Sequence, residues 1–195
     1  MSGDQLSEGQ SGDELHWRET YFIVFPQSRR PLLEKVERAL GRADGRMKLE
    51  NQSATGEGLI ESLLIESPED HAAVEVSYEV GDAVIEQNLE WAKQLQNQVP
   101  SKQLQKLIKS DARLDVAHFE RLAPGDSSAG TAGRSRRADP ASIGFVDEFA
   151  DEFGDDMEEP DFELLDPTCL LTVVETLASL TGGLTFDPAA GEILQ

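Results

Sequence analysis

The chain reads as an α+β protein, and three patterns lead to that class. Val74, Val76, Tyr78 and Val80 alternate with Glu75, Ser77 and Glu79, the period-two signature of a strand with one buried face. Leu33, Val36 and Leu40 recur at spacings of three and four, which is the apolar stripe of an amphipathic helix. Segments of both kinds follow one another between residues 20 and 121, so strands and helices share one core.

Taken in order, residues 1–18 are rich in Ser, Gly, Gln and acid and have no apolar period, and are expected to form a disordered acidic tail. Tyr21-Phe22-Ile23-Val24-Phe25 is an aromatic and β-branched run closed by Pro26, the mark of a buried strand. A helix opens at Pro31, whose fixed φ suits a first helical position, and closes at Gly41. A polar connection containing Gly45 and Asn51-Gln52-Ser53 leads to a second strand over Leu59–Ile65, ended by Ser67-Pro68. The alternating segment 74–80 is the third strand. Gly81-Asp82 starts a helix with the stripe Ile85, Leu89, Ala92 and Leu95; Val99-Pro100 interrupts it, and Ser101 opens a shorter piece with Leu104, Leu107 and Ile108. Ala112–Glu120 returns as a fourth strand, with Leu114, Val116 and His118 on one side.

The succession strand, helix, strand, strand, helix, strand over residues 19–122 resembles the βαββαβ pattern of ferredoxin-like domains. That resemblance implies an antiparallel sheet with its helices on one face. It does not select a function, because the arrangement serves many. Residues 123–144, rich in Gly, Ser and Ala with a basic knot at Arg134, Arg136 and Arg137, read as a flexible linker. Residues 145–165 are an acidic, Phe-containing segment. Residues 166–195 hold a final helix, with Asp166 as its N-cap, Pro167 in its first turn and Gly182-Gly183 as its stop, followed by a short hairpin. Some 30 residues are too few for a separate core, so this helix and hairpin are expected to pack on the sheet.

Charge narrows the function classes. The net charge is −21, and residues 145–195 contain no Lys or Arg. Such a chain is repelled by phosphate backbones and anionic lipid, which disfavours nucleic-acid and membrane binding except through a locally basic patch. No apolar run approaches a membrane span and no signal-like start is present, so a cytoplasmic setting is expected. Cys169, the single cysteine, falls within an apolar helical pattern and reads as a small buried hydrophobe.

Two places invite a binding role. Phe145, Phe149 and Phe153 recur every four residues among Asp147, Glu148, Asp151 and Glu152, which suits an element docking on the protein's own core, or a docking element that steers towards a protein partner with a basic surface. Ser28, Arg29 and Arg30, just before the first helix, could hold an anion with guanidinium groups and free helix N–H groups. An enzyme site around His118 with Glu120 or Glu75 is the weakest alternative. The acids near Gly154 do not follow calcium-loop spacing, and no catalytic motif, cofactor fingerprint or metal-ligand set is present. The chain is therefore expected to be a non-catalytic interaction or regulatory protein. The alternative is an anion-binding regulatory domain working through Arg29 and Arg30.

Overall fold

In the computed structural model, which describes residues 14–122 and 167–194, the apolar run Tyr21–Phe25 is the inner end of a twelve-residue strand, β1 (Glu14–Phe25). Ile23, Val24 and Phe25 are all fully buried, although alternate side chains of a strand point to opposite faces. Both faces of β1 are covered at this end, which is why the run is apolar without alternation. The outer end, with Trp17, Arg18 and Glu19, lies at the surface and carries the polar residues that conceal it in the sequence.

The first helix, α1 (Leu33–Ala43), starts two residues later than Pro31. The Pro31 carbonyl accepts the Ile60 N–H at 3.1 Å and Leu32 bridges to Leu59, so Pro31 serves the sheet while Leu32 is the N-cap, its carbonyl accepting the Val36 N–H at 3.2 Å. The helix then runs through Gly41. The polar connection that follows contains a strand, β2 (Lys48–Ala54), that has no hydrophobic alternation. It is an edge strand paired only with β3, its register is broken between Glu50 and Ser53, and Asn51 has a φ of +46°. Only Leu49 of this strand packs against the core, and an edge with one neighbour does not need a continuous apolar face. Strands β3 (Ile60–Ser67), β4 (Ala72–Val80) and β5 (Ala112–Leu122) follow, with α2 (Asp82–Leu95) and α3 (Ser101–Ile108) between the last two. Finally α4 (Thr168–Thr181) leads into the hairpin β6 (Leu184–Asp187) and β7 (Glu192–Leu194).

All seven strands form one antiparallel sheet in the order β2-β3-β4-β5-β1-β6-β7. This is a mixed α+β architecture, but its strand order is not that of the ferredoxin-like pattern, and two details explain the difference. Strand β2 takes the chain from α1 to the far edge, so that β3 returns antiparallel to β1. Helices α2 and α3, joined at the Val99-Pro100 break, form a hairpin that brings the chain back beside the strand it left. One crossover helix delivers a parallel strand, whereas a helix pair delivers an antiparallel neighbour.

The helices also lie on both faces, not on one. Val36 and Leu40 of α1 and Leu170, Val173 and Leu177 of α4 pack with Ile23, Phe25, Val76 and Leu114. On the other face Trp91 of α2 and Leu107 of α3 pack with Val24 and Phe186. Trp91 stacks at 4.1 Å on Phe186 and 5.4 Å on Phe22. This second layer stops short of the outer end of β1, where Trp17 is 62% exposed and Leu15 42%. Phe145, Asp147, Glu148, Phe149, Asp151, Glu152 and Phe153 lie outside the described residues, as do the linker and Asp166.

Candidate functional site

Where β1 ends at Pro26, the chain makes a 3₁₀ turn over Gln27–Arg29. The Arg29 N–H donates to the Pro26 carbonyl at 2.8 Å and the Arg30 N–H to that of Gln27 at 3.0 Å. The Gln27 N–H donates to Asp111 Oδ1 at 2.6 Å and ties the turn to the start of β5. Arg30 is held in place: its Nε donates to the Ile60 carbonyl at 2.7 Å, and its guanidinium lies 3.8 Å over the Tyr78 ring. Arg29 is exposed, with Nη1 3.4 Å from the Thr181 carbonyl.

The end of α4 meets this loop from the other side. Gly182 takes the left-handed conformation (φ +58°) and the Gly183 N–H returns to the Ala178 carbonyl at 3.1 Å, a glycine stop of the usual kind. The Lys106 ammonium donates to the Gly183 carbonyl at 3.0 Å. Arg29 and Lys106 thus sit at the carbonyl end of a helix, where positive charge is favoured. Burial, and then the charges of Arg29 and Lys102, lower the Lys106 pKa, as expected where cations are crowded together.

Ser28, Arg29 and Arg30 each line two of the three clefts that surround this loop. The Leu33 N–H is already taken by the Gly58 carbonyl at 2.9 Å. Further cations along these clefts come from elsewhere: Lys35 from α1, Lys102 and Lys106 from α3, and Lys109 from its C-cap. Six of the chain's 17 lysines and arginines line three clefts around one short loop, and Asp111 is the only described carboxylate that lines them. Lys35, Lys102 and Lys109 make no ion pair among the described residues. The signal was present in the spacing of 102, 106 and 109, which puts three lysines along one side of a helix.

The constellation around His118 is arranged differently from the sequence expectation. His118 is 5% exposed, and its Nδ1 lies 3.5 Å from Glu19 Oε1, outside hydrogen-bond geometry. A register shift between Trp17 and Glu19 brings Glu19 opposite His118, while Glu120 pairs with Arg18 at 3.1 Å. Val74 is the cross-strand partner of His118, so its neighbour Glu75 points to the opposite face. Tyr21 donates to Glu19 at 3.2 Å; burial, and then the nearby Glu19 charge, push its phenol up to about 12.

No cluster of potential metal ligands occurs among the described residues, and no described helix is long and apolar enough to cross a membrane. Comparison with protein-family models, curated proteins and solved structures finds no match for this chain.

Proposed function

We propose that the protein is a non-catalytic binding module that recognises an anionic ligand through the cation-lined end of its sheet. The observation that supports this reading is the gathering of Arg29, Arg30, Lys35, Lys102, Lys106 and Lys109 around one loop in a chain of net charge −21. Placing like charges side by side costs free energy, and an arriving anion removes that cost. A cytoplasmic setting belongs to the same reading, supported by a single cysteine that leaves no internal disulfide.

Thermal unfolding with inorganic phosphate or citrate tests it, with sodium chloride at equal ionic strength as the control. Ligand at a hundred times its dissociation constant adds about 2.7 kcal/mol, or roughly 5–10 °C for a chain of this size. The double variant Lys102→Glu/Lys109→Glu should lose that shift. An equal shift with chloride, or an undiminished one in the variant, would count against the site.

A second reading concerns residues 145–165, where Phe145, Phe149 and Phe153 recur among acids and suit contact with a basic protein surface. Partner capture by the full chain, compared with Phe145→Ser/Phe149→Ser/Phe153→Ser, checks it. Equal recovery of the partner would remove the segment from consideration.

A further inference from the structure

The six cations do not converge on one point. The Pro26–Pro31 loop divides three open clefts of about 540, 420 and 360 Å³. Arg30 and Lys109 line the largest; Arg29, Arg30 and Lys35 line the second, beside the end of α4; Arg29, Lys102, Lys106 and Lys109 line the third. Arg29, Arg30 and Lys109 each face two clefts, so the clefts form a continuous cationic track around the loop.

A lone phosphate or carboxylate can occupy one cleft and leaves the cations of the other two without partners. A ligand whose charges are spaced along a chain reaches all of them. Apolar residues line the same clefts as the cations: Pro26 the first and third, Leu59 the first, Leu32 and Leu180 the second. An extended peptide advances about 3.3 Å per residue with side chains alternating in direction, so it presents acids and apolar groups at this scale.

Resting on the anion-binding reading, we infer that the ligand is a short acidic peptide segment, several Asp or Glu side chains on an extended backbone wrapped around the Pro26–Pro31 loop. The charge distribution favours a short ligand over a long polyanion. Fields at the surface fall off over about 8 Å at physiological salt. A peptide confined to the track meets the cations, whereas a nucleic-acid duplex or an anionic bilayer also faces the acidic remainder of a chain whose net charge is −21.

Titration calorimetry on the full chain decides the matter, using hexaglutamate and inorganic phosphate at matched ionic strength. The expected result is one hexaglutamate per chain, bound at least tenfold tighter than phosphate. Lys35→Gln and Lys102→Gln, in different clefts, should each weaken hexaglutamate several-fold, while phosphate responds to only one of them. Both lysines are exposed, and far-UV circular dichroism checks that each variant folds. Phosphate binding with no preference for hexaglutamate would overturn the peptide while leaving the anion site in place, and no binding of either would remove both. A twelve-base-pair duplex or phosphatidylserine vesicles binding more tightly than hexaglutamate would also overturn it, by assigning the track to another class of polyanion.

Discussion

Trp17 and Trp91 show how much one residue's position decides. Trp91 is 8% exposed and stacked on Phe22 and Phe186, while Trp17, at the open end of β1, is 62% exposed and donates a 3.1 Å hydrogen bond to Thr20. Truncating a buried aromatic costs about 3–5 kcal/mol, and a surface one about 0.5 or less. In urea unfolding, Trp91→Ala should therefore lose several kcal/mol and Trp17→Ala almost nothing. Comparable losses would show that the outer face of the sheet is covered in solution. Cys169 is 1% exposed; burial, and then the charge of Asp70, push its thiol up to about 11 from the ordinary 9. The Tyr21 phenol, at about 12 against 10, and the Tyr78 phenol, also raised by burial, likewise hold their protons more tightly folded than unfolded. The stability they supply is complete below about pH 9 and is lost as pH rises through 11 to 12. Lys106, with its lowered pKa, acts in the opposite sense, so the comparison must be by variant. The alkaline fall in the unfolding midpoint should flatten in Tyr21→Phe/Cys169→Ala, and a fall of unchanged steepness would contradict this assignment.

Among the elements, β4 was the most legible: Val74 and Val76 are buried and Glu75 and Glu79 exposed, as their alternation requires, although Val80, read as part of the same buried face, is exposed. Strand β2 was not, because its pairing comes from a neighbouring strand and not from an apolar face of its own. The start of α1 shows a similar competition: Pro31 could have begun a helix, but its carbonyl bonds Ile60 of β3 and the helix starts after Leu32. At the end of α4, the Gly182-Gly183 stop could be read in advance, though not its second role. A Cβ on Gly182 would lie 2.5 Å from Arg29 Nη1, besides occupying a left-handed conformation that costs an L-residue about 1 kcal/mol. Gly182→Ala should therefore destabilise by about 1–2 kcal/mol and weaken phosphate binding by displacing Arg29. Lost stability with unchanged phosphate affinity would separate Arg29 from the site.

At the scale of the molecule, β1 and β6 connect the two layers. Side chains of β1 enter both apolar clusters, and β6 pairs with it from the C-terminal part of the chain. Leu177→Ala on one face and Phe186→Ala on the other should each cost about 2–5 kcal/mol. Each should also shift one common transition, seen alike by Trp91 fluorescence and far-UV circular dichroism. Two separated transitions in either variant would show that the layers unfold independently.

Periodicity alone determined that this chain builds strands and amphipathic helices and where most of them lie. These are local properties, set by which side chains recur every two or every three to four residues. Tertiary structure alone decided the strand order, the placement of helices on both faces and the arrival of Lys102, Lys106 and Lys109 beside the arginines. The reason is that pairing partners and the direction of return after each helix depend on the whole set of connections. A single unrecognised edge strand, β2, reversed the sense of the strand that follows it and changed the topology.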